Sequence, residues 1–155
     1  RLKRWILFLI MLAIMAGIFF LSAQPGQQSY ELSAQLAQQI QQDNLAGTTP
    51  GWFSPDFHAN LRKWAHVWLY FLLGISTALT VCSFWNPAGK PFRFCTATAL
   101  LVCLVYSISD ELHQFFVPGR ACLATDVLVD ALGFVPGILL VCWLWYRRNR
   151  RQNQN

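Results

Sequence analysis

From Trp5 to Leu21 the chain runs 17 residues without a charge. Three further apolar stretches follow, at about 64–85, 94–109 and 126–146. Each holds a helix able to cross a hydrocarbon layer, which takes roughly 17–25 residues once interfacial ends are allowed for. The pattern predicts an all-α integral membrane bundle of four transmembrane helices, built as a single domain over residues 1–155. Between the first two spans lies a long segment, 22–63, with a pattern of its own. Pro25-Gly26 marks a turn, Ser29 is placed to cap a helix with Glu31 in its first turn, and Leu32, Leu36 and Ile40 recur every four residues among Gln and Ser. A short amphipathic interfacial helix is expected over about 29–41, lying on the outer membrane surface or packed on the bundle as a lid. Trp52, Phe53 and Phe57 follow at headgroup level. Small residues mark helix contacts: Gly133 and Gly137 beside Pro136, and more weakly Gly74 with Ala78 and Ala13 with Gly17.

Composition agrees with the pattern. Of 155 residues, 55% are hydrophobic and 12% charged, about half the charge of a typical soluble domain. That balance excludes disorder and disfavours a soluble enzyme or a nucleic-acid binder. The net charge of +5 matters less than its distribution. Arg1, Lys3, Arg4, Lys90, Arg93, Arg147, Arg148, Arg150 and Arg151 occupy three segments that contain no acid. Glu31, Asp43, Asp56, Asp110, Glu111, Asp126 and Asp130 all belong to the other two connections or the helix ends beside them. The positive-inside rule then expects a multi-pass protein of the plasma (inner) membrane with both termini cytoplasmic and 22–63 and 110–125 outside. The basic tail 147–155 reads as an anchor for anionic lipid, not a nucleic-acid site. The first span is expected to stay as an anchor, since Leu21 is a poor residue three places before a cleavage site. The lack of an initiator Met gives the expectation of a trimmed start. Of five cysteines, Cys82, Cys95, Cys103 and Cys142 fall in or near spans and only Cys122 outside; they read as helix filler, not a disulfide framework.

Polar residues gather at the outer ends of spans two, three and four. Arg62, His66 and Tyr70 are spaced i, i+4, i+8 and stack on one helix face, with Lys63 adjacent. Asp110 and Gln114 share a face flanked by Glu111 and His113; Arg120 follows in the loop Phe116-Val117-Pro118-Gly119-Arg120. Asp126 and Asp130 open the fourth helix one turn apart. An acid that deep in a span is costly, so it should face the interior and find a partner.

The same residues carry a family resemblance. Leu21-Ser22-Ala23-Gln24-Pro25, Arg62-Lys63-x-x-His66-x-x-x-Tyr70, Ser109-Asp110-Glu111-x-x-Gln114-x-Phe116-x-x-x-Arg120 and Asp126-x-x-x-Asp130-x-x-Gly133 together resemble the VanZ-like family of small bacterial membrane proteins, named for a teicoplanin-resistance protein. The family pattern commonly has a second Ser where this chain has Ala23. The resemblance implies a cell-envelope role and, in the founding member, altered susceptibility to a lipoglycopeptide; it supplies no settled reaction.

Two functions are compatible with these residues. In the first, a hydrolase or transferase acts on an outer-leaflet lipid or lipid-linked envelope precursor. Arg62, Lys63 and Arg120, with Tyr70 and Gln114, would hold an anionic head group. His66 or one of Asp110 and Glu111 would move the proton, and Asp126 with Asp130 would orient it or bind a divalent cation. A carboxylate set of Asp110, Glu111, Asp126 and Asp130 suits Mg²⁺, Mn²⁺ or Ca²⁺, although no HExxH, GxSxG or P-loop is present. In the second, a non-catalytic protein binds or excludes such a lipid or an acylated glycopeptide, and the polar cluster is partly an ion-pair network pinning three helices.

Overall fold

A computed structural model describes residues 2–24, 31, 35, 57–85, 92–120 and 124–152. These form four long helices and, among the described residues, no strand: α1 Leu2–Ser22, α2 Phe57–Trp85, α3 Phe92–Gln114 and α4 Ala124–Gln152. Segments Leu2–Ser22, Trp64–Trp85, Arg93–Gln114 and Ala124–Trp145 are each long and apolar enough to cross a membrane. The chain is a multi-pass membrane protein. The interfacial helix expected at 29–41 lies outside the described residues except Glu31 and Gln35, which are helical and exposed.

The helices outrun the apolar spans read from the sequence. The third apolar run ends at residue 109, yet α3 continues to Gln114. Its last turns present Asp110, Glu111 and Gln114 to the interior, where they are buried, while Leu112 faces outward. Hydropathy marks what lipid accepts; the helix goes on as long as its polar side chains find partners inside.

α2 and α4 form the most extensive pair, and both touch α3. α1 packs against α2 and, less, α3, and among the described residues makes no contact with α4. The α2–α4 crossing is close because it is made of glycines. A Cβ on Gly133 would overlap the Val67 carbonyl oxygen and come within 3.0 Å of the Phe71 nitrogen. One on Gly137 would meet the Phe71 carbonyl, and one on Gly74 the Phe134 backbone. Without a hydrophobic drive between helices in lipid, such backbone approach supplies the dispersion contact that replaces it. The weaker pair Ala13 and Gly17 is a different case: both are exposed, and nothing lies within 4 Å of a Cβ on Gly17. The contact face of α1 runs instead through Met11, Ile18 and Ser22, and Ala13 and Gly17 project away from it.

The ends of the bundle differ in chemistry. At one end Trp5 meets Phe84 at 5.8 Å and Trp85 meets Phe94 at 5.2 Å between ring centroids. The basic residues Lys3, Arg4, Arg93, Arg147 and Arg148 belong to this end, where Arg147 lies over the Trp143 ring. Cys82, Cys95 and Cys142, from three different helices, are buried as free thiols. At the opposite end the polar groups of all four helices meet.

Candidate functional site

The site begins with two aspartates on neighbouring helices, each almost wholly buried: Asp110 near the end of α3 and Asp130 two turns into α4. Burying a carboxylate is costly unless hydrogen bonds replace the lost water, and both have recruited them. Asp110 Oδ2 accepts from Ser22 Oγ at 2.8 Å, from Gln114 Nε2 at 3.2 Å and from the Tyr70 hydroxyl at 3.4 Å. Those donors come from α1, the next turn of α3, and α2. Asp130 uses both oxygens. Oδ2 accepts from Ser107 Oγ at 2.8 Å, and Oδ1 lies 3.3 Å from His66 Nδ1. Asp110 and Asp130 both face inward and are partnered.

His66 sits on α2 one turn before Tyr70, whose ring lies nearly parallel to it at 6.2 Å. Its contact with a carboxylate assigns the Nδ1 proton to that bond. Nε2 then carries the lone pair in the neutral ring. The imidazole remains 16% accessible, and among the described residues its Nε2 has no hydrogen-bond partner. His66 is thus oriented by an aspartate, with no partner for its outer nitrogen among the described residues, an arrangement chemically open to proton transfer. Ser107 donates to the aspartate and not to the histidine, so it steadies Asp130 and is not placed as a His-activated nucleophile.

Arg120 is positioned by backbone geometry. The Val117–Arg120 segment is a type II turn, closed by Arg120 N–H to the Val117 carbonyl at 3.2 Å, with Pro118 leading and Gly119 at φ 76°. The turn sends the guanidinium back over the bundle. There Nε donates to the Gln24 carbonyl at 3.0 Å, Nη2 to the Leu21 carbonyl at 3.2 Å and Nη1 to Gln114 Oε1 at 3.1 Å. Carbonyls at a helix end lack i+4 partners, Leu21 taking only a long turn bond from Gln24 N–H at 3.4 Å, and a cation there also complements the helix dipole. Arg120 therefore latches α1 to the α3 terminus.

Of the other residues singled out from the sequence, Gln114 joins Asp110, Ser22 and Arg120, and Glu111 is as buried as Asp110. Asp126 is half-buried in the first turn of α4 and joins no hydrogen bond among the described residues, so Asp130 alone orients His66. No group of three or more His, Cys, Asp or Glu able to hold a metal ion occurs among the described residues, so the four carboxylates do not assemble as one ligand set there. Arg62 and Lys63 lie on the first turns of α2, with Arg62 one turn before His66, but their side chains fall outside the described residues.

Ser22, Ser107 and Tyr106 were not picked out as site residues. Ser22 was visible only as part of Leu21-Ser22-Ala23-Gln24-Pro25, and Ser107 lies one turn before Asp110 on α3. Tyr106 donates to the Met15 carbonyl at 2.5 Å, a bond to backbone that no side-chain pattern announces.

A family model described as VanZ/LLP1 matches residues 7–146. No curated protein and no solved structure matches the chain. Residues 7–146 reach from the first helix into the fourth and take in every group of the polar site, and on that match the chain belongs to the VanZ/LLP1 family.

Proposed function

We propose that this chain is a cell-envelope protein of the plasma (inner) membrane, oriented with both termini in the cytoplasm, whose extracytoplasmic site acts on a lipid or lipid-linked precursor with an anionic head group. The separation of charge supports the orientation: Lys3, Arg4, Arg93, Arg147 and Arg148 belong to the end of the bundle opposite the acidic site. The observation that carries the activity is the His66–Asp130 pair, whose Nε2 has no partner among the described residues. In this reading His66 takes the proton from water or an acceptor hydroxyl as that oxygen attacks the head group, and returns it to the leaving oxygen. Asp130 holds the ring in the orientation this transfer needs. Asp110 Oδ1, buried and without a partner among the described residues, is an acceptor left for a ligand proton. Arg62 and Lys63, one turn before His66 in sequence, would meet the negative charge.

A second reading, a non-catalytic protein that binds or excludes a lipid or an acylated glycopeptide such as teicoplanin, draws on Arg120. That guanidinium is engaged with α1 and Gln114, as expected of a pinning network. His66→Gln and His66→Ala, compared at matched folded yield in lipid-turnover and glycopeptide-susceptibility assays, separate the two. Loss of activity in both variants supports acid–base chemistry. Wild-type behaviour of Gln with failure of Ala removes it and favours binding.

A further inference from the structure

The last turns of α1 cover two polar atoms that are buried without a partner among the described residues, Asp110 Oδ1 and His113 Nε2. Each belongs to a side chain that α1 touches directly. Ser22 Oγ donates to Asp110 Oδ2 at 2.8 Å, and the Phe19 ring stacks on the His113 ring at 4.3 Å between centroids. Unmet buried polar atoms are costly, so something else must hold the closed arrangement. Arg120 supplies that hold. Its Nε and Nη2 donate to the Gln24 and Leu21 carbonyls at 3.0 and 3.2 Å, while Nη1 keeps to Gln114 Oε1 on α3 at 3.1 Å. These three acceptors are neutral oxygens. A phosphate brings full negative charge and paired oxygens that match the guanidinium fork, so it binds the same donors more strongly. Arg120 is only half-buried, so an anion can reach it.

Little else fixes the end of α1. Of its 21 residues only Met11, Ile18 and Ser22 are buried, and Phe20 and Leu21 are exposed. Tyr106 holds the Met15 carbonyl, which leaves a pivot two turns before Ser22. We infer that Arg120 is a phosphate site closed by α1: residues 19–24 form a lid over Asp110 and His113, released when a phosphate group takes the guanidinium. This rests on the reading of the site as one for an anionic head group, and adds that the ligand opens its own site. Gln114 keeps the two events together, since its Oε1 accepts from Arg120 and its Nε2 donates to Asp110. A phosphate on Arg120 therefore sits one side chain away from the aspartate that it uncovers.

The test reads the lid at position 22, because Ser22 is wholly buried when the lid is closed. The full chain with Cys122→Ser and Ser22→Cys is delipidated in dodecyl maltoside and treated with N-ethylmaleimide, and peptide mass spectrometry follows alkylation at position 22. Dioleoyl phosphatidylglycerol should speed alkylation roughly tenfold, within the usual range of coupling between two binding events. Dioleoylglycerol, with the same chains and no phosphate, should leave the rate unchanged. Inorganic phosphate, compared with chloride at equal ionic strength, identifies the source: a matching rise means that any phosphate releases the lid, and no rise means that the lipid chains are needed as well. Either result supports the exchange. No rise with either phosphate probe, or an equal rise with dioleoylglycerol, overturns it. Arg120→Gln should be alkylated fast without lipid and gain nothing from phosphatidylglycerol; a lipid effect that survives in this variant also overturns the proposal. The response of the parent chain decides the matter if Arg120→Gln does not fold. His66→Gln should respond like the parent, since exchange at Arg120 moves no proton, and loss of the response there would place the anion at His66 instead. The readout is accessibility, not turnover, so failure of the acid–base reading leaves this result standing.

Discussion

Replacing Gly133 by Ala links helix packing to the site in one experiment. The added Cβ would overlap the Val67 carbonyl oxygen and lie 3.0 Å from both the Phe71 nitrogen and the Tyr70 Cβ. Ordinary contacts run from 3.4 to 4 Å, so α2 and α4 must separate by about 0.4–1 Å at this crossing, and backbone cannot swing aside as a side chain would. His66 precedes Val67 on α2, and Asp130 lies one turn before Gly133 on α4. Their 3.3 Å contact then opens to about 3.7 Å or more, beyond hydrogen-bond range. Overpacking of this kind costs about 3 kcal/mol at the upper end of its usual range, against about 1 kcal/mol gained from replacing Gly by Ala in a helix. The net of about 2 kcal/mol corresponds to a fall in Tm of roughly 4–8 °C for a chain of this size. Gly17→Ala is the matched control: a Cβ there meets nothing within 4 Å, so it should be neutral or slightly stabilising. Thermal unfolding of the two variants in the same detergent reads the difference. A Gly133→Ala chain as stable as wild type, or a Gly17→Ala chain that falls as far, would refute the argument.

Arg120→Gln should cost about 2–3 kcal/mol, since charge-assisted bonds to three acceptors are lost and part of that loss is offset by water; Arg120→Lys should not rescue it, because a point charge cannot reproduce the fork. Gly119→Val forces a β-branched residue to positive φ and should destabilise by about 1–2 kcal/mol, releasing the same latch; limited proteolysis after α1 is a direct readout for both. Ser22→Ala removes the shortest bond to Asp110 and leaves its Oδ2 to Gln114 and Tyr70, so a Tm loss of a few degrees is expected without loss of fold. For orientation, a membrane-impermeant thiol reagent on spheroplasts should label Cys122 well and a cysteine placed at Asn153 poorly; equal labelling would reverse the proposed topology.

Much of the architecture could be read from the chain because lipid enforces it. An uncharged run such as Trp5–Leu21 has few other structures open to it, and an acid inside a span must turn inward, as Asp110 and Asp130 do. Spacing along one helix was equally readable: His66 with Tyr70, Asp110 with Gln114, Gly133 with Gly137. What stayed hidden was pairing between helices. That Asp130 and not Asp126 would meet His66 depends on where α4 crosses α2, and Asp126 is only one turn away. The bonds from Arg120 to Leu21 and Gln24 were hidden too, because backbone carbonyls carry no signature in a sequence.

The way α1 is attached bears on the order in which the bundle assembles. Its ties are long in sequence: Ser22 to Asp110 spans 88 positions, Tyr106 to Met15 spans 91 and Arg120 to Leu21 spans 99. During synthesis the first helix therefore enters the bilayer with none of its eventual polar partners yet made. Its uncharged body is at home in lipid alone, and the carbonyls at its end can be hydrated at the interface. α2, α3 and α4 have no such independence, because Asp110 and Asp130 enter hydrocarbon only at a cost until Tyr70, Ser107 and His66 surround them. Helix insertion and helix docking are thus separate events for α1, and the second must wait until the Val117–Arg120 turn has left the ribosome.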